Sequence, residues 1–172
     1  EAAVISMTFL QEIDPQVRWT VTKGANTTNS VVVKRLLWSA VNDPSDAVRA
    51  MSCWKLIESG KPKDVAEGYK GVRDDSTGVR LELVERMGAS PAPSHREALL
   101  VAVADASWRV RAAALRSLAK QPEAVTVEQI ANVMEDKFPM VQLALLDLAK
   151  AKSLSLPPNA VASLKSSLDS RV

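Results

Sequence analysis

Residue types that commonly do chemistry are scarce in this sequence of 172 residues, which contains one histidine, His95, and one cysteine, Cys53. A metal site built from His and Cys needs more ligands than these two residues supply. Glycine-rich phosphate-binding loops are absent from the sequence. We therefore expect no enzyme activity, no metal and no cofactor. His95 is interpreted as an exposed residue at a helix start, and Cys53 as a small core residue.

The most conspicuous chemical pattern is a file of arginines. It comprises Arg18, Arg49, Arg80 and Arg111, and Gln142 follows at the same spacing. Such a file could bind phosphates, but an acidic residue precedes each member by six positions: Glu12, Asp43, Asp74, Asp105 and Asp136. Because Arg forms directional, charge-assisted bonds to carboxylates, structural ion pairs are favoured over a phosphate-binding stripe.

Both columns belong to a repeat with a 31-residue period and no insertions. DASWRVRAAALRSLAK begins at Asp105, and the corresponding segments begin at Asp43, Asp74 and Asp136. The repeat valines are Val17, Val48, Val79, Val110 and Val141, and Val172 falls one period later. Strict periods of this size are typical of helical repeat proteins.

Helical elements follow from the spacing of apolar residues within each repeat. Positions four and eight residues after each repeat valine are mostly apolar, which predicts a second helix there. The first helices are predicted about 10 residues before the second helices, with core columns that include Leu37 and Val41. Asp43–Pro44 is interpreted as an N-cap followed by a first-turn proline, and Ser94 and Thr126 as starts of capping boxes. Gly68 and Gly71 are expected to weaken one first helix.

Helix pairs with this Asp and Val-Arg pattern resemble HEAT repeats, in particular the short bacterial, phycobilisome-lyase-like type. The resemblance covers nearly the whole chain. It implies an all-α fold: a right-handed α-solenoid of about five two-helix repeats forming a single domain over residues 1–172. The units are 1–30, 31–61, 62–92, 93–123 and 124–154, with a partial unit at 155–172. It also implies that second helices line the concave side and that the Asp and Arg columns form a ladder between adjacent repeats.

A candidate binding surface follows from the geometry of the second helices. At about 100° per residue, positions two, six and nine residues after each repeat valine lie opposite the core columns. Many are apolar, although solvated helix faces are normally charged. The predicted partner-binding groove consists of Trp19, Trp54, Ile57, Leu81, Arg116 and Leu143. Trp108 is expected at its turn edge, and Trp38 is assigned to packing.

These observations favour a non-catalytic scaffold that binds a protein or peptide through an apolar concave groove. One alternative is a nucleic-acid-binding HEAT module, but Lys and Arg number 22 against 20 Asp and Glu, so no nucleic acid is expected. The other is an enzyme-associated module of the phycobilin-lyase kind. No run of residues is apolar enough for a membrane span. The sequence begins with Glu1 rather than Met and continues directly into the apolar segment AAVISMTFL, so we expect a segment of a longer protein. The single cysteine is compatible with cytoplasm and periplasm, of which the cytoplasm is favoured.

Overall fold

The computed structural model describes residues 13–169, and within this range all regular secondary structure is helical. The α-helices, in chain order, are α1 (Pro15–Lys23), α2 (Ser30–Asn42), α3 (Asp46–Glu58), α4 (Pro62–Tyr69), α5 (Thr77–Ala89), α6 (Arg96–Ala102), α7 (Trp108–Lys120), α8 (Pro139–Lys152) and α9 (Pro158–Asp169). Three 3-10 helices lie at Lys70–Arg73, Pro93–His95 and Glu128–Val133. The all-α prediction is confirmed. Glu12, the apolar run 2–10 and Val172 lie outside the described residues.

The second helices begin with the spacing that the sequence predicts. Their first residues are Pro15, Asp46, Thr77, Trp108 and Pro139, each 31 positions after the previous one. The first helices are less regular: α2 has 13 residues, whereas α4 has eight and continues into a 3-10 helix. The repeat therefore fixes the second helices more strictly than the first.

Two compact units divide the chain at Leu83 and Val84, within α5. In the first, α3 packs against α1, α2 and α4, and the core includes the fully buried Leu36, Met51 and Leu56. In the second, α7 packs against α6 and α8 around side chains such as Leu115 and Leu145. The repeat valines from Val48 to Val141 are completely buried, whereas Val17 is half-buried.

Arginines of the repeat bind the aspartate of the following repeat. Arg49 donates from Nε to Asp74 Oδ2 at 2.9 Å and from Nη2 to Oδ1 at 3.0 Å. Arg18 binds Asp43 through the same two nitrogens, and Arg111 Nε lies 2.7 Å from Asp136 Oδ2. These three ion pairs confirm that these arginines are structural. The name "rung" is used for each such Arg–Asp pair.

A second set of bonds ties each arginine to its own repeat. Nη1 of Arg49 donates to the backbone carbonyl of Asp43 at 2.9 Å, six residues earlier. Arg80 and Arg111 make the same contact with the corresponding carbonyls. Gln142 also makes this bond, since its Nε2 donates to Asp136 O at 2.7 Å. The glutamine thus keeps the intra-repeat bond of the column.

Asp43 does not cap α3, contrary to the N-cap interpretation. The helix begins at Asp46 with Ser45 as its N-cap residue, and Asp43 Oδ1 instead accepts from the Ser45 amide at 2.9 Å. The other aspartates of the column accept in the same way from the residue two positions later. Asp43 therefore both closes the turn before α3 and accepts the arginine of the rung.

The two capping-box predictions fare differently. Ser94 lies inside the 3-10 helix Pro93–His95, which has no side-chain cap bond, so that prediction is wrong. Gln129 Oε1 accepts from the Thr126 amide at 3.0 Å, which is one half of the predicted box. The following helix is nonetheless of the 3-10 type and begins at Glu128.

Gly68 and Gly71 allow α4 and the following 3-10 helix to approach α3 closely. A Cβ on Gly68 would lie 2.6 Å from the Cys53 carbonyl oxygen and 2.8 Å from Ile57 Cγ1. A Cβ on Gly71 would lie 2.7 Å from Cys53 Sγ of the same helix, α3. The interpretation of these glycines as weak points of a helix misses this role, because a larger residue would not fit.

We expect Arg111→Ala to lower the free energy of unfolding by about 2–4 kcal/mol, because it removes the arginine that pairs with the buried Asp136 carboxylate. Arg116→Ala on the same helix is the matched control, since this side chain is exposed, and its effect should stay within about 0.5 kcal/mol. Urea titrations followed by circular dichroism measure both. Equal losses of unfolding free energy in the two variants would mean that the rung contributes no more to stability than an exposed charge does.

Gly68→Ala should destabilise the protein by roughly 1–3 kcal/mol, because the new Cβ collides with the backbone of α3. Gly24→Ala serves as the control, since the nearest atoms to its Cβ lie at 3.8 Å and its φ is −85°. That substitution should be neutral or stabilising. A Gly68→Ala protein that melts at or above the wild-type temperature would contradict the tight contact.

Candidate functional site

The six residues predicted to form a groove differ in exposure. Trp19 and Leu81 are half-buried, Arg116 is exposed and Leu143 is 42 % exposed. In contrast, Trp54 and Ile57 are buried, with 8 % and 7 % exposure, so the prediction that they face an open groove is wrong. Arg116 and Leu143 lie in the second compact unit, and the other four lie in the first.

A neighbouring helix explains the burial of Ile57, and a bond within α3 satisfies the polar atom of Trp54. Ile57 packs against Gly68 of α4, where the absent side chain brings the two helices together. Trp54 Nε1 donates to Glu58 Oε1 at 2.7 Å, which satisfies the indole within α3. Counting angles around one helix identifies the side away from its own core columns. It cannot show that α4 covers part of that side.

One groove remains on the second helices of the first unit. It has a volume of about 260 Å³ and is lined by Trp19 of α1, Asp46, Ala47 and Ala50 of α3, and Gly78 and Glu82 of α5. We call it the Trp19 groove. Its position on three successive second helices matches the face that the sequence predicts, although only Trp19 of the predicted residues lines it.

Small residues create the Trp19 groove. Ala50 is 2 % exposed and lies at its base, while Ala47 and Gly78 contribute no side chain beyond a methyl group. A Cβ at Gly78 would lie 3.4 Å from both Asp46 Oδ2 and Ser76 Oγ. A larger side chain at any of these positions would fill the space beside the Trp19 ring.

Carboxylates dominate the polar atoms of the groove. Asp46 accepts from Arg49 Nη2 at 2.8 Å and also accepts a hydrogen bond from Ser76 Oγ. Arg49 is shared with Asp74, so these three residues carry one net negative charge, and the carboxylate of Glu82 also lines the groove. The hydrogen bond that Arg49 donates to Asp74 raises the pKa of Arg49, which keeps that guanidinium charged.

The Trp19 ring already accepts one cation. Lys23, one turn along α1, places its Nζ 5.2 Å from the ring centroid. Ammonium and guanidinium groups are attracted to the negative face of an indole, most strongly where they are partly desolvated. An aromatic wall next to carboxylates is therefore an environment suited to positively charged groups.

Sequence reasoning missed most of the groove's lining. Asp46, Ala47 and Gly78 lie three or four residues before the column that is two positions after the repeat valine, and Glu82 lies one residue after it. The signal that could have indicated an open space is the small size of three residues on two adjacent second helices, Ala47 and Ala50 of α3 and Gly78 of α5. Trp108, predicted at the turn edge, is half-buried and stacks on Phe138 with ring centroids 5.9 Å apart.

Cys53 and His95 are both buried. Burial raises the pKa of the Cys53 thiol to about 12, so the reactive thiolate is disfavoured at neutral pH. His95 is 4 % exposed, which contradicts its interpretation as an exposed helix-start residue. Its burial lowers the pKa, while a hydrogen bond with the Met87 backbone acts in the opposite direction. The neutral imidazole thus fills the interior between α5 and α6.

Between residues 13 and 169, no group of three or more His, Cys, Asp or Glu side chains is arranged to hold a metal ion. No helix in this range combines the length and the apolar character needed to cross a membrane. Comparison of the sequence with protein-family models and with curated proteins yields no match.

The lowered pKa of His95 predicts a pH-dependent stability. Between the ordinary pKa of 6.5 and the lower folded pKa, the unfolded chain binds a proton that the folded chain does not. The free energy of unfolding should therefore fall as the pH drops through this window. Asp74, whose pKa also lies below its ordinary 3.8, acts only at more acidic pH. Melting temperatures of wild type and His95→Gln across this range test the assignment, and equal slopes would contradict it.

Proposed function

We propose that this chain forms a HEAT-like, right-handed α-solenoid that acts as a non-catalytic scaffold. It holds a segment of a protein partner in the Trp19 groove. The observation that supports this proposal is the groove itself, which combines an aromatic wall, a floor of small residues and two carboxylates.

The dimensions of the groove suit one side chain of a peptide. Pockets for small molecules and cofactors commonly have about 300–1,000 Å³, and the Trp19 groove, at about 260 Å³, is smaller. A tetrapyrrole, as expected for a phycobilin-lyase-like module, requires more enclosed space. A peptide anchored by one side chain and continuing across neighbouring second helices fits this volume better.

The chemistry of the groove favours a positively charged anchor. An arginine or lysine of the partner would stack on Trp19 and pair with the carboxylates of Asp46 and Glu82. The same carboxylates would repel a phosphate backbone, which disfavours the nucleic-acid alternative. Lys23 would share the Trp19 ring with the incoming cation or move aside.

Trp19→Ala should weaken binding of an arginine-containing peptide selected from a displayed library by about 1–3 kcal/mol, because it removes the aromatic wall. Its melting temperature should change little, since Trp19 is half-buried. Trp54→Ala is the matched control: it should leave the binding of the folded fraction unchanged but destabilise the protein by about 3–5 kcal/mol. Isothermal titration calorimetry and thermal melts separate the two effects.

Gly78→Leu provides a second test, because it fills the groove while leaving its charged residues in place. Peptide binding should be lost without loss of stability. Replacing the peptide arginine with glutamine should weaken binding comparably, and added salt should reduce affinity only moderately. Selected peptides that lack basic residues, or that bind Trp19→Ala and Gly78→Leu as well as wild type, would refute the proposed site.

A further inference from the structure

Helix α2 exposes three large apolar side chains on one face. Val31, Trp38 and Val41 are 51 %, 46 % and 74 % exposed. Their spacing of seven and three residues places them on one side of the helix, while Val32 and Leu36 on the other side are buried. We call this face the α2 stripe. It corrects two predictions, since Trp38 was assigned to packing and Val41 to a core column.

The α2 stripe leads into a cleft of about 250 Å³. One wall is apolar and is formed by Leu37, Ala40, Val41, Cys53 and Leu56. The opposite wall comes from the end of α4 and the residues that follow, from Glu67 to Asp75. Val41 belongs to both the stripe and the cleft, so one continuous apolar surface offers both a flat part and a depression.

Charge around the α2 stripe is positive. The helix sequence SVVVKRLLWSAVN contains Lys34 and Arg35 and no acidic residue. Lys34 is exposed, and the Arg35 guanidinium lies 4.1 Å from the centroid of the Trp38 ring. Arg35 also interacts with the Asp43 carboxylate. Because Asp43 is already bound by Arg18, this cluster of two arginines and one aspartate keeps a net positive charge.

Carboxylates of the cleft do not cancel this charge. Glu67 accepts from Lys70 at 2.6 Å, and Asp74 is held by Arg49. Asp75 and Arg73 add one charge of each sign to the lining. The α2 stripe is therefore apolar at Val31, Trp38 and Val41 and cationic at Lys34, which lies on the same face, and at Arg35 beside it.

From this combination we infer that the α2 stripe is a docking surface for an acidic amphipathic helix of a protein partner. Its apolar residues cover Val31, Trp38 and Val41, and one of them enters the cleft. Its carboxylates face Lys34 and Arg35. Amphipathic helices bind apolar grooves through residues spaced three, four and seven apart, and charge complementarity selects among them. This surface shares no residue with the Trp19 groove and goes beyond the proposed function.

The experiment uses a labelled model helix with leucines at helical spacing and glutamates at the other positions, measured by fluorescence anisotropy. A peptide with lysine in place of glutamate is the matched probe and should bind at least about tenfold more weakly. Val41→Glu and Lys34→Glu should each weaken binding of the glutamate peptide at least about fivefold. Val101→Glu and Lys120→Glu, on exposed positions of α6 and α7, are the matched controls and should bind as wild type does.

Trp19→Ala should also bind the glutamate peptide normally, which separates this surface from the Trp19 groove. Thermal melts identify any variant that fails to fold. If Val41→Glu fails to fold, Trp38→Ala provides an independent test of the same surface. Equal affinity for both peptides, or retained affinity in Lys34→Glu and Trp38→Ala, overturns the inference. Binding to phosphatidylserine vesicles that is lost in these variants, without binding of the glutamate peptide, assigns the surface to a membrane instead and also overturns it.

Discussion

The bond between an arginine of one repeat and the aspartate of the next is the constraint on which the regular part of the structure depends. Each described rung joins residues 25 positions apart, as in Arg18–Asp43 and Arg49–Asp74. The same aspartate orders the turn before its own second helix through its other contacts. One carboxylate thus fixes both where a second helix starts and which arginine of the preceding repeat it meets. Partial burial strengthens this bond, because water cannot compete for the charged groups.

Sequence alone could predict the elements that this bond controls. The period, the 31-residue spacing of the second helices and the structural role of Arg18, Arg49 and Arg111 are all local or strictly periodic features. Predictions failed where a residue's surroundings come from another element. Trp54 and Ile57 lie on the side of α3 opposite its core columns, yet they are buried, and Gly68 brings α4 onto Ile57. The exposure predicted for His95 rests on its place near a helix start. The residue is in fact buried, and it forms a hydrogen bond with the backbone of Met87 on the preceding helix.

Both candidate binding surfaces arise from departures from the repeat consensus rather than from the consensus itself. The Trp19 groove exists because Ala47, Ala50 and Gly78 are small, whereas the same columns carry larger residues such as Arg109, Met140 and Leu143 in later repeats. The α2 stripe exists because Trp38 and Val41 are exposed on a first helix, whereas Val72 and Val103, in the same column as Val41, are buried. Periodic residues hold the helices in register, and the residues that differ among repeats give each face its own chemistry.

Gln142 shows that the bond within a repeat can form without the bond to the aspartate of the next repeat. It donates to the carbonyl six residues earlier, as the arginines do, but as a neutral amide it needs no carboxylate in a following repeat. Six residues to that carbonyl and 25 to the next aspartate together make one period of 31. Gain or loss of a whole repeat therefore keeps the spacing between every arginine and its aspartate. Any other insertion or deletion between the two residues of a rung must be accommodated in a loop. An uncharged residue at this position lets such an array end at any repeat without leaving an unpaired buried cation, so evolution can vary its length one repeat at a time.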